Sequence, residues 1–205
     1  MTLSETRIYS ILKRRRSKNA RIYAGILESI ADDAQYLLEY IRRDYPDYPD
    51  HGIQHSLRIL ECVFQVLYKK ANELSDTEIF CFIMSSLFHD TGMALTGWNI
   101  KELRSKHHEF AEIVINRYFE EKMSIISNAD RIKKAVVFAC RSHGLTINEL
   151  YDDADFEKVD LIGQDKVRYP WLAIFLRIGD LLDLDENRTN KFFYLCSHIY
   201  THRKL

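Results

Sequence analysis

The chain has 205 residues, of which 46% are hydrophobic and 29% charged, with a formal net charge of −1 at pH 7. That length supports one full-sized domain with a substantial core. The balanced charge removes any general argument for binding nucleic acid or an acidic membrane surface. No run of 18 apolar residues is available to span a membrane, and the N-terminus lacks the apolar stretch of a signal peptide, so a cytoplasmic protein is expected.

Seven glycines and three prolines are few for this length and favour long elements joined by few tight turns. Along the chain, Lys13-Arg14-Arg15-Arg16-Ser17-Lys18 is a short basic run, read as a solvated N-terminal segment rather than a nucleic-acid contact. Ile22, Ile26, Leu27, Ile30, Leu37, Leu38 and Ile41 then recur at helical spacing, and the Pro/Asp-rich stretch Tyr45–Asp50 ends that helix. Leu57, Leu60, Val63, Phe64, Leu67 and Tyr68 form a second stripe. Ser75 and Glu78 make a capping box that opens a third helix, for which Gly92 offers a stop.

Further helices are predicted from about Glu102 to Glu121, from Asn128 to Ser142 before Gly144, and from Pro170, a residue suited to a first helical turn. Residues 144–168 read as an acidic loop with one short helical turn around Thr146–Leu150. A last helix follows Thr189 and reaches His198, Tyr200 and His202 without a stop signal, so the chain reads either as a fragment or as the first domain of something longer. No alternating run is long enough for a convincing strand, so the fold class is all-α, one domain. Cys62, Cys81, Cys140 and Cys196 lie in apolar helical contexts without CxxC spacing and are read as reduced core residues.

The chemistry starts at Ser85-Ser86-Leu87-Phe88-His89-Asp90-Thr91-Gly92. The segment before it, Glu78-Ile79-Phe80-Cys81-Phe82-Ile83-Met84, is apolar on all sides and predicts a buried central helix. Such a helix should not end in an imidazole and a carboxylate unless both are paired. A bland account is a histidine capping helix carbonyls.

Four more positions weigh against that account: His55 at the start of one amphipathic helix, His107 early in another, His143 at the end of a third, and Asp180 inside the apolar run Ala173–Leu182. Five helices thus each bring an imidazole or carboxylate to the core, and convergence on a cation explains them together. For Asp180 the alternative is an ion pair with Arg177, one turn earlier. A helical scaffold without metal is the blandest alternative for the whole set.

The order His55, His89-Asp90, His107, His143, Asp180, together with the run Arg177–Arg188 (RIGDLLDLDENR), resembles the HD superfamily of metal-dependent phosphohydrolases. The likeness spans roughly residues 50–190. It is strongest to the branch with that final motif, whose members are often fused to chaperone-type ATPase domains. Residues 1–49 then form an N-terminal segment and packing helix, and residues 191–205 a C-terminal helix leading toward a further domain.

The resemblance implies a single helical bundle around a metal centre. His55, His89, Asp90 and Asp180 would hold one divalent ion, and His107 and His143 would hold a second, with Asp90 bridging. Asp90, His107 and His143 would form the catalytic group. One or two ions of Mn, Fe, Co, Ni, Zn or Mg suit such ligands. The implied activity is hydrolysis of a nucleotide or another phosphate ester. The alternative is a metal-containing, nucleotide-sensing module that regulates a fused or partner domain. A nuclease is less favoured, because one short basic run makes a poor strand-binding groove.

Arg58, Lys166 and Arg168 are candidate substrate contacts, against the ordinary readings of a solvated helix residue and an exposed loop. Asp183, one turn after Asp180, would orient a ligand or receive Arg188. His108 competes with its neighbour His107 as ligand. His51 is read as a loop residue, and His198 and His202 as surface residues.

Overall fold

The computed structural model describes residues 1–45 and 52–183. Eight α-helices and one small hairpin occupy them: α1 (Arg7–Arg14), α2 (Lys18–Asp44), α3 (Ile53–Leu67), α4 (Asp76–Phe88), α5 (Ile100–Lys122), α6 (Ala129–Ser142), α7 (Ile147–Asp152), β1 (Val159–Ile162), β2 (Asp165–Arg168) and α8 (Tyr169–Leu182). The architecture is an all-α bundle. Among the described residues no helix is long and apolar enough to cross a membrane.

Helix α4 is the axis. The capping box is formed as the sequence implies: Ser75 accepts from the Glu78 N–H, and the Glu78 carboxylate accepts from the Ser75 N–H at 2.9 Å. All thirteen residues of α4 are buried, and α1, α2, α3, α6 and α8 pack around it. Cys81 and Cys140 are buried free thiols, as expected, while Cys62 is half-buried; Cys196 lies outside the described residues.

Several local expectations are corrected. The basic run is not simply solvated. Lys13 and Arg14 end α1, Ser17 caps α2 by accepting from Ala20 N–H, and Arg15 bonds Asp76 at 2.7 Å and the Asn72 carbonyl at 2.9 Å. Residues 159–168 are not loop but an antiparallel hairpin, with Val159 opposite Arg168 and Ile162 opposite Asp165. It holds because Ile162 and Val167 are buried and because β2 docks on α4.

Gly92 does not stop α4, which ends four residues earlier. It lies in a short 3-10 turn, Thr91–Ala94, pressed on α5, where an added Cβ would sit 2.1 Å from the His107 carbonyl oxygen and 2.7 Å from Ala111 N. Glycine is needed there for close backbone approach. The turn around 46–50 and the helix after Thr189 lie outside the described residues.

Candidate metal centre

Four helices and the turn after α4 converge at the C-terminal end of that helix. His55 sits in the first turn of α3, His89 caps α4 with Asp90 beside it, His107 is in α5, His143 caps α6, and Asp180 is in the last turn of α8. His55, His89 and Asp90 are buried, whereas His107, His143 and Asp180 are half-buried and form the open side. Two sets of ligand atoms result, each within 4.8 Å of one another: His55, His89 and Asp180, and Asp90, His107 and His143.

The ring orientations are constrained from behind. Nδ1 of His89, His107 and His143 lies 2.9, 2.8 and 2.5 Å from the carbonyls of Ser86, Arg104 and Cys140. A carbonyl only accepts, so each Nδ1 carries a proton and Nε2 is the nitrogen that faces inward. His55 Nδ1 is tied in the same way to the Asp183 carboxylate at 2.6 Å. The inward nitrogens meet in pairs, His55 with His89 at 3.3 Å and His107 with His143 at 3.0 Å. Two inward Nε2 atoms at that separation need a proton or a metal ion between or beside them, since two facing lone pairs repel. This donor set therefore fits a cation and can hold a metal ion.

Asp90 serves both sets. Its Oδ2 is 3.1 Å from His89 Nε2 and 3.7 Å from His55 Nε2, while its Oδ1 is 3.5 Å from His107 Nε2. Asp180 Oδ1 is 3.2 Å from His55 Nε2. Titration follows the geometry. Burial opposes a charge on His89, but Asp90 and then Asp180 outweigh it and raise its pKa to about 9. Burial first and the His89 charge second push His143 down to about 3. For Asp180, burial acts upward, yet the bond from His55 and the charge on His89 hold its pKa below the ordinary carboxylate range.

Behind the ligands, Asp183 accepts from Arg58 Nε at 2.7 Å and Nη2 at 3.2 Å as well as from His55. The contact of Asp183 with His55 is the one that orienting that ring requires, and Arg188, the other expected partner, lies outside the described residues. Arg58 is joined to His55 through Asp183. Partners behind metal-binding histidines typically matter by about 10–100-fold in affinity. Asp183→Asn is therefore expected to weaken metal binding by about that factor without changing the number of ions bound, as read by chelator competition. Unaltered affinity would remove the role.

Lys166 and Arg168 are not brought to this cluster. Arg168 forks onto Glu78 at 2.6 and 2.8 Å and stacks 3.6 Å from the Trp171 ring, and Lys166 pairs with Leu161 in the hairpin. Glu78 and His89 are eleven residues apart, about 16 Å at 1.5 Å per residue. The charge of Glu78, buried at the start of α4, holds that arginine away.

Arg177 does not pair with Asp180 either; it donates to the carbonyls of Ser142 and Leu145. Sequence reasoning missed that role, because the carbonyls it reaches lie at the end of a different helix, 35 and 32 residues away. His107 rather than His108 points into the cluster, since the His108 ring packs against Gly144. His51, His198 and His202 lie outside the described residues.

A helical bundle closing around paired imidazole–carboxylate sets defines an HD-like domain. A model of the HD-CE family matches residues 45–204, most of the chain, and the chain belongs to that family. No curated protein and no solved structure matches it.

Proposed function

We propose that the protein is a metal-dependent phosphohydrolase acting on a nucleotide or another small phosphate ester. The observation that carries this reading is the pair of ligand sets joined by Asp90, which turns one carboxylate oxygen to each. His55, His89 and Asp180 would hold one ion, and His107 and His143 a second, with Asp90 between them. Divalent ions there would acidify a water and polarise a phosphoryl oxygen.

The chain's own part is positional and electrostatic. Asp183 and the three backbone carbonyls keep the imidazole protons on Nδ1, so that every Nε2 stays available. Asp90 and Asp180 offset cationic charge in a site that burial has stripped of water. The half-buried edge at His107, His143 and Asp180 gives a small ester its way in. Membership in the HD-CE family is compatible with this chemistry and adds weight to it.

The test is elemental analysis of the purified protein, followed by hydrolysis assays with each candidate metal over nucleotides, cyclic nucleotides and single-stranded nucleic acid. Bound metal with turnover of at least one phosphate ester is expected. Metal-replete protein inert toward all of them would sink the enzymatic reading. Nucleotide binding without turnover would favour the sensing module instead.

A further inference from the structure

We infer that Arg177 is a positioning residue for His143, holding the end of α6 so that the ring keeps its place in the Asp90–His107–His143 set. This rests on the metal-site reading for its consequence, although not for its geometry. Residues 142–145 form a tight hook in which Gly144 N–H reaches the Arg141 carbonyl and Leu145 N–H the Ser142 carbonyl, both at 3.3 Å. The Nη1 of Arg177 spans the hook, donating to Ser142 O at 2.7 Å and Leu145 O at 2.6 Å, one carbonyl on each side of His143.

Helix α5 also packs on the hook. A Cβ on residue 144 would lie 2.2 Å from both Cγ and Nδ1 of His108, so the imidazole occupies the space that the glycine leaves. The hook is thus contacted both by an arginine from the helix that carries Asp180 and by a histidine adjacent to His107. The carbonyls at a helix C-terminus are favourable partners for a cation, which makes the arginine grip strong and directional.

Two consequences follow. The second ligand set is registered to the first through α8, because Arg177 and Asp180 share one rigid helix turn. And His108, which lies next to the centre without joining it, acts as packing for the hook rather than as a spare ligand.

The experiment compares wild type with Arg177→Met, Gly144→Ala and Arg141→Met. Arg141 is the control: it is also at the end of α6, but pairs outward with Asp153. Metal-free protein is followed by the NMR signals of the His143 ring, and metal binding by cobalt titration against a chelator. Arg177→Met and Gly144→Ala are expected to broaden or split the His143 signals. Both should also weaken binding at the second ion by about 10-fold or more, the scale for partners that orient ligands, while the first ion and the Arg141→Met protein keep wild-type behaviour.

Wild-type His143 signals in a folded Arg177→Met protein would overturn the inference, whatever the metal does. Equal broadening in Arg141→Met would also overturn it, by showing that any lesion at this helix end suffices. A wild-type protein that binds no cobalt would defeat the metal reading alone, and the ring signals would still decide the positioning role.

Discussion

Asp90→Ala is expected to abolish metal binding and hydrolysis together. Among the described residues no other turns an oxygen to both ligand sets, so its loss would remove one negative charge from both candidate cation positions at once. His89 also loses the partner that most favours its charged form. Truncating one member of a buried charged pair typically costs about 3–5 kcal/mol. On the proposed reading, metal would stabilise the wild type further, by about 2.7 kcal/mol when free metal stands at a hundred times the dissociation constant, and the variant would lack that gain.

Asp90→Asn separates the contributions, since it keeps the shape and removes the charge. Elemental analysis and thermal unfolding with and without metal read all of this. A variant that retains wild-type metal content and the same metal-dependent rise in Tm would show that Asp90 is not a ligand.

Gly92→Ala should be nearly as damaging although it touches no ligand side chain. The added methyl would fall on the backbone of α5, 2.1 Å from one oxygen and 2.7 Å from one nitrogen, and backbone atoms cannot rotate away as a side chain can. Overpacking of a dense interior costs about 1–3 kcal/mol and sometimes more. If the turn and α5 instead separate to admit the methyl, Asp90 and His107 move apart. The expected result is a lower Tm plus weakened binding of the second ion. Wild-type stability and metal stoichiometry would mean that the turn is more compliant than its packing indicates.

Most helices were legible in the sequence because their signals are local. The stripe from Ile22 to Ile41, the Ser75–Glu78 box and Pro170 each mark an element that forms close to its expected bounds. Helix α1 escaped because its eight residues lie in a segment dominated by the basic run that follows. The hairpin escaped because its strands are four residues each, and because its stability comes from docking on α4 rather than from alternation.

The candidate site was legible at the level of residue type: His55, His89, Asp90, His107, His143 and Asp180 all meet. What the sequence could not supply is which partner each charge takes. Arg58 and Asp183 are 125 residues apart yet form one pair behind His55, and Arg168, a candidate substrate contact, instead pairs with Glu78, 90 residues away. Long-range pairings of this kind leave no periodicity to read.

Helix α4 also works as a ruler. One pole is fastened by Asp76 and Glu78 to Arg15 and Arg168, the other by His89 and Asp90 to the ligand sets, with no solvent-facing residue between to absorb a misfit. Inserting a single residue would turn one pole against the other by about 100° and lengthen the span by about 1.5 Å. Either the hairpin anchor or the imidazole–carboxylate pair would then face the wrong neighbours. Length variation in this family should therefore be confined to the connections around α4, and the thirteen-residue count of the helix itself should be as fixed as the identity of the residues at its ends.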